Sequence, residues 1–187
     1  MPLASSVFKG AAEGIKKILE PGFVDVSAFS FQYESPSDVD LTTQDAVSIF
    51  LYAIAPNAFM RNSGTTILNR TAESGDIRAQ DILLDLSFMI TAYGQSKDSE
   101  FAILERVMQM LHDNPIIQGA NLSTGLIENE NSEVRIEPVN INMDELNKLW
   151  SIFPNKSYRL SVFYQLTAVR MLSTRIEATA AIGGIGQ

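Results

Sequence analysis

Few residues of this chain are of a type that does chemistry. Its 187 residues include no cysteine and one histidine, His112. Thiol chemistry, disulfide frameworks and thiolate metal sites are therefore excluded, and with them most histidine-dependent catalysis and zinc chemistry. His112 stands in the last turn of an expected helix, where a partly charged imidazole gains about 0.3–1 kcal/mol from the helix dipole. A general base also needs an orienting acid and a nucleophile, and the sequence points to neither. Glu128, Glu130 and Glu133 lie in an Asn-rich turn region. Paired acids can hydrolyse glycosides when held about 5–10 Å apart across a cleft, but an acidic turn reads as solvated. Asp144 and Glu145 are accounted for by helix capping, and no spacing resembles a calcium loop. "GGIGQ", Gly183 to Gln187, lacks the lysine and the following helix that a phosphate loop requires. The chain is read as a non-enzyme with no cofactor and no metal.

The elements that would position any site belong to a single domain. The composition, 45% hydrophobic and 19% charged, is that of a globular chain large enough to bury a real core. A net charge of -8 and no basic cluster longer than Lys16-Lys17 argue against nucleic acid or an anionic membrane as the main partner. No apolar run approaches the roughly 20 residues of a membrane span, and the N-terminus lacks the apolar core of a secretory signal. It reads instead as an amphipathic helix, with Phe8, Ala11, Ala12, Ile15, Ile18 and Leu19 on one stripe and Pro21-Gly22 ending it.

A weak extended segment is expected over Val24–Tyr33, then a loop, then the strand in "VSIFLYAIAPNAFMRN", Val47 to Asn62. That strand is apolar on both sides, with Val47, Ile49, Leu51, Ala53 and Ala55 on one and Phe50, Tyr52 and Ile54 on the other. The polar stretch from Asn62 to Gln80 reads as a surface loop able to order on a partner. "DILLDLSFMITAYG" alternates: Ile82, Leu84, Leu86, Phe88 and Ile90 face a core, and Asp81, Asp85, Ser87 and Thr91 face water. A helix is expected from about Ser99 to His112, and a short strand over "SEVRIEPVNI" with Pro138 at a sheet edge or strand end. A second capped helix follows, with Asn142 as N-cap, Glu145 as its capping-box partner and Pro154 as its stop. The last long strand, "YRLSVFYQLTAVRML", has Arg159, Ser161, Gln165 and Thr167 on its polar side. The pattern gives an α+β fold with a mixed, largely antiparallel sheet flanked by helices. The domain runs over residues 1–177, followed by a flexible Gly-rich tail over 178–187.

Three blocks together resemble a known family. They are "VSIFLYAIAPNAFMRN", with its Pro-Asn and Arg-Asn pairs, "LLDLSFMITAYG", ending in Thr-Ala-Tyr-Gly, and "LWSIFPNKSYRLSVFYQLTAV", Leu149 to Val169. The family is the N-terminal domain of the tail-terminator, or cap, proteins of phage-tail-like contractile injection systems of the antifeeding-prophage type. The resemblance implies a phage tail-terminator-like fold and a structural role. Such a protein forms a six-subunit ring at the end distal to the baseplate, where it ends inner-tube growth and contacts the last sheath layer. Its partners would be copies of itself and the tube and sheath proteins, in a particle assembled in the bacterial cytoplasm, with later release left open.

On that reading, Phe50, Tyr52, Ile54, Arg61 and Asn62 are candidates for a subunit interface. The Phe50–Tyr52–Ile54 face is covered either by the N-terminal helix or by the next subunit. Asp81, Asp85, Ser161 and Gln165 are candidates to face the tube or lumen, and Ile182, Gly183, Gly184 and Ile185 form a candidate sheath-contacting tail. The rival readings are a neck or sheath-adaptor subunit, a small particle-borne hydrolase, and a soluble ligand-binding α+β domain with one deep apolar pocket.

Overall fold

The computed structural model describes residues 6–26, 28–39, 44–58, 66–68, 74–153 and 157–180. Helix α1 (Val7–Leu19) starts where the Ser6 side chain accepts from the Lys9 amide, and its buried stripe runs Ala11, Ile15, Ile18, Leu19. Pro21 cannot continue an α-helix, and the chain tightens into a 3-10 turn over Glu20–Phe23. Strand β1 (Ser30–Gln32) is the short part of the expected Val24–Tyr33 segment that becomes extended. It pairs in parallel with β2 (Ala46–Pro56), which pairs antiparallel with β5 (Ile82–Tyr93) along its whole length.

Helix α2 (Lys97–Asp113) carries a capping box between Ser96 and Ser99, so it starts two residues before Ser99, the expected start. Strand β6 (Ile116–Gln118), a 3-10 turn over Gly119–Asn121 and helix α3 (Thr124–Glu128) fill what reads as a loop. Then come β7 (Glu133–Pro138), helix α4 (Met143–Ser151) and β8 (Ser161–Met171). The Asn142–Glu145 capping box of α4 forms as its sequence dictates. The main sheet has the order β1-β2-β5-β8-β7-β6 and is antiparallel apart from the β1–β2 pair.

Helices cover both faces of this sheet. On one face α1, α2 and α3 bury Val47, Ile49, Phe88, Ile90, Leu166 and their neighbours in the main core. The contact between α1 and α3 is close enough to require glycine: a Cβ on Gly125 would lie 2.5 Å from the Ser6 carbonyl oxygen. On the other face α4 and the turn after it lay Leu146, Leu149, Trp150 and Phe153 over Met89, Phe163, Phe50 and Tyr52.

The polar stretch expected as a loop is partly sheet. β3 (Thr66–Leu68) and β4 (Ser74–Arg78) pair antiparallel, and β9 (Ile176–Ala180) adds to β4, giving a small sheet of order β3-β4-β9. β9 runs through the boundary drawn between residues 177 and 178.

Candidate functional site

At the end of the main sheet where β2 stops and β5 begins, Leu84 and Val169 stay in the core while the end of β2 is exposed. Ala53, Ile54, Ala55 and Pro56 are all exposed, and Ile54 and Ile82 are 48% and 46% accessible. Two bulges shape this end. In β2 the register shifts between Leu51 and Ala53, so Tyr52 is the extra residue. In β8 the shift falls opposite Asp85, where Val169 pairs with Leu84 and Leu166 with Leu86. Ala168, inside that bulge, has φ of 54°, a conformation that costs a residue with a Cβ.

Polar side chains then bond the backbone of β8, one position after another, as it leaves the sheet. Asp85 Oδ1 accepts from the Ala168 amide at 3.0 Å and from Asn57 Nδ2 at 2.8 Å. Asn131 imitates a strand: its Oδ1 accepts from the Arg170 amide at 2.8 Å and its Nδ2 donates to the Arg170 carbonyl at 3.0 Å. Asn129 Oδ1 accepts from the Leu172 amide at 3.1 Å, and Asp81 Oδ1 from the Ser173 amide at 3.0 Å. The direction in which the chain departs toward β9 is thereby fixed.

Arg78, at the end of β4, ties the small sheet to this clasp. Its guanidinium donates bidentately to Glu130, at 2.9 and 2.8 Å, and its Nε sits 3.2 Å from Asp81 Oδ1. Arg78 is only 6% exposed, whereas the Glu130 side chain is about half in water. The guanidinium beside it holds the Glu130 carboxyl below its ordinary value, and the same hydrogen bonds raise Arg78. Such a fork between a buried guanidinium and a carboxylate is the strong, directional form of the ion pair. Arg170 Nη1 adds a longer contact to Glu130 at 3.8 Å.

Several expectations need correction against this geometry. Phe50, Tyr52 and Ile54 do not share a face, because the bulge at Tyr52 reverses the alternation. Phe50 and Tyr52 pack under α4, where Tyr52 meets the Phe163 ring edge-on at 5.9 Å. Ile54 stands opposite Leu86, on the side of α1 and α2. The N-terminal helix therefore does not cover Phe50 and Tyr52; α4 does. The polar side expected to face water has its centre roofed by α4, with Met89 and Phe163 in the buried cluster and Thr91 fully buried on the Ser161 hydroxyl at 2.8 Å. Asp81 and Asp85 are not free on a wet face; each carboxylate bonds the β8 backbone or Arg78. Gln165 is half-buried, in register with Ser87 and Glu137. Glu130, read as solvated, is the partner of Arg78. Arg61, Asn62, Ile182, Gly183, Gly184 and Ile185 lie outside the described residues.

His112 rims an apolar hollow of about 400 Å³ lined by Met108, Leu111, Pro115, Ile136, Pro138 and Tyr164; among the described residues lining it there is no carboxylate, and the one hydroxyl is the Tyr164 phenol. Burial pushes that phenol above its ordinary value, so it stays protonated. Among the described residues no helix is long and apolar enough to cross a membrane.

The clasp residues Asn129, Glu130 and Asn131 escaped the sequence reading because their partners lie about forty or fifty residues away in the chain. The only local signal is the alternation Asn-Glu-Asn just before a strand.

Comparisons agree on the fold. No curated protein sequence matches the chain. The sheath/tube terminator of an extracellular contractile injection system, in its extended state, superposes with a TM-score of 0.63 at 18% identity, over 96% of this chain and 63% of that one. The tube-terminating cap of the anti-feeding prophage superposes with a TM-score of 0.67 at 20% identity, over 95% of this chain and 59% of that one. The chain thus spans about three fifths of the length of these terminators. The model of the Pvc16 N-terminal domain matches residues 11–182, so the chain belongs to the Pvc16 N-terminal domain family.

Proposed function

We propose that this chain is a structural terminator cap, which seats on the last ring of a contractile injection system's tube and ends its growth and that of the sheath. The observation that carries this reading is the correspondence of nearly the whole chain to two solved terminators. The geometry supports it physically. Tube and sheath subunits stack by contacts that never close on themselves, so an open end keeps recruiting. A terminator must match the end ring on one side and present nothing repeatable on the other.

In this chain a rigid, two-faced core holds out a sheet end with Ile54 and Ile82 exposed, beside a small sheet clamped by Arg78 and Glu130. That end is the surface proposed to meet neighbours, as a ring of six copies. β9 leads on toward Ile182–Ile185, the residues proposed to reach the sheath. The role is non-enzymatic, and assembly takes place in the cell that makes the particle.

Deleting the gene and measuring tubes and sheaths by electron microscopy tests the reading. Overlong, variable tubes are expected, and the wild-type chain restores a uniform length. Normal-length tubes detached from their other parts would identify an adaptor and overturn the cap.

A further inference from the structure

We propose that the open outer edge of β2 receives β9 of a second copy of this chain, so that neighbouring subunits join by strand addition. The inference rests on the cap reading only for the ring that such contacts build.

One side of β2 is bonded to β5 from Ala46 to Pro56, but on the other side β1 covers only Ala46, Val47 and Ser48. From Ile49 to Pro56 no described residue bonds that edge. At roughly 3.3 Å per residue it runs about 26 Å. Monomeric proteins guard such edges with lysine, an inward charge, proline, a bulge, a short strand or a covering loop. Here Ala46 to Ala58 contains no charged residue at all. The other edges of the main sheet, β1 and β6, are three residues each. The bulge at Tyr52 bends β2, but pairing with β5 resumes at once with Ala53 opposite Ser87. Only Pro56, at the strand's last position, lacks an amide to offer.

β9 is the matching donor. It is bonded to β4 on one side only, and its five residues make it the longest open edge of the described chain after β2. It carries one carboxylate, Glu177, and no charged residue from Ala178 onward. Each copy carries -8, and like-charged copies approach at least cost where carboxylates are few: the β2 edge has none, and β9 has Glu177 alone. Because β2 and β9 are different surfaces, the contact is heterologous and can propagate around a ring, whereas β2 against β2 would stop at a dimer.

Light scattering over a concentration series is the first test, with wild type against the Ala53→Lys/Ala55→Lys double variant. Both alanines are exposed, so circular dichroism and melting should match wild type. Wild type is expected to rise above 20.6 kDa, and the variant to associate at least about tenfold more weakly, which is about 1.4 kcal/mol. Wild type that stays monomeric, or a folded variant that associates like wild type, overturns the proposal.

The absence of native cysteine allows a second test. Ala55→Cys chains mixed with Ala178→Cys or Thr179→Cys chains, two successive positions of β9, should form a mixed disulfide on mild oxidation. A disulfide formed only between Ala55→Cys chains overturns the β9 assignment. Tube-length assays separate this from the cap reading. A lysine variant that is monomeric and no longer limits tube length supports both. A chain that associates through the edge yet leaves tube length uncontrolled removes the cap and keeps the edge. One that limits length while its lysine variant associates normally removes the edge alone.

Discussion

Replacing Trp150 tests whether the second face of the sheet is covered from within the chain. Trp150 is 8% exposed and lies edge-on to Phe153 and Tyr158, at 5.6 and 5.4 Å between ring centroids. Its indole Nε1 has no hydrogen-bond partner among the described residues, so Trp150→Phe gives up packing area but none of the hydrogen bonds seen. We expect about 1 kcal/mol for Phe, against about 3–5 kcal/mol for Trp150→Ala, in line with aromatic truncations in cores. α4 is nine residues long, too short to hold its own helix in water. The loss should therefore appear as local detachment of α4 while the larger core under α1 and α2 persists. Hydrogen exchange reads this directly. Amides of residues 143–151 in Trp150→Ala should lose about two to three decades of protection, while Phe88–Ile90 in β5 change far less. An apolar dye should also bind, since Phe50, Tyr52 and Met89 become wet. If α4 protection is unchanged, or if Phe proves as damaging as Ala, then Trp150 is not what holds this roof and the reasoning fails.

Three further perturbations have definite signs. Ala168→Gly should stabilise by roughly 0.5–1 kcal/mol in urea titrations, because φ of 54° is strained for alanine and open to glycine, and Ala168→Val should destabilise by more. Gly125→Ala should cost about 1–3 kcal/mol, since the new Cβ would lie 2.5 Å from the Ser6 carbonyl oxygen and α1 must shift; an unchanged melting curve would show that contact to be slack. Glu130 has a depressed carboxyl, so its contribution is fully present above the ordinary glutamate range and is lost as pH falls through its lowered native value. Acid titration of Glu130→Gln should therefore show a flatter decline below that range than wild type. Half exposure of Glu130 keeps the difference small.

What was legible in the sequence is what local chemistry determines. Asn142 and Glu145 cap α4 because the capping box needs only four consecutive residues, and Pro21 stops α1 for an equally local reason. The alternation read for β5 holds for Leu84, Leu86, Phe88 and Ile90, which lie in the core, and not for Ile82, which is exposed at the strand's start. The resemblance of three blocks to terminator caps is matched by the family and the fold. The faces of β2 and β8 beyond their bulges were not legible. A bulge is decided by the register of two strands far apart in sequence, and one extra residue at Tyr52 moves Ile54 to the other side. Nor was the small sheet. β4 and β9 are joined across about a hundred residues, and the polar sequence of β4 carries no period of its own. The clasp failed to show for the same reason. Asp81 and Asp85 look like a wet edge until the β8 backbone arrives to take their oxygens.

The size of the small sheet bears on why this end of the molecule should be the one that assembles. Three strands of three, five and five residues bury too little to stand alone in water. Within the chain this sheet is fastened at its root by the Arg78–Glu130 fork, the Asp81–Ser173 bond and the Ala79–Arg175 backbone bond at 2.9 Å. Beyond that root, no described residue bonds the far edge of β9 or the outer run of β2. A protein selected only for monomer stability would close such edges or charge them; this one places no charge on β2 and a single carboxylate, Glu177, on β9, and sets both on a firmly bonded base. The stability missing from the isolated small sheet is then supplied by the neighbour whose β2 it joins. It follows that β9 amides should exchange fast in dilute monomer and become protected on association, to the same extent as the outer amides of β2. Protection that rises at β2 alone would mean a different strand fills that edge.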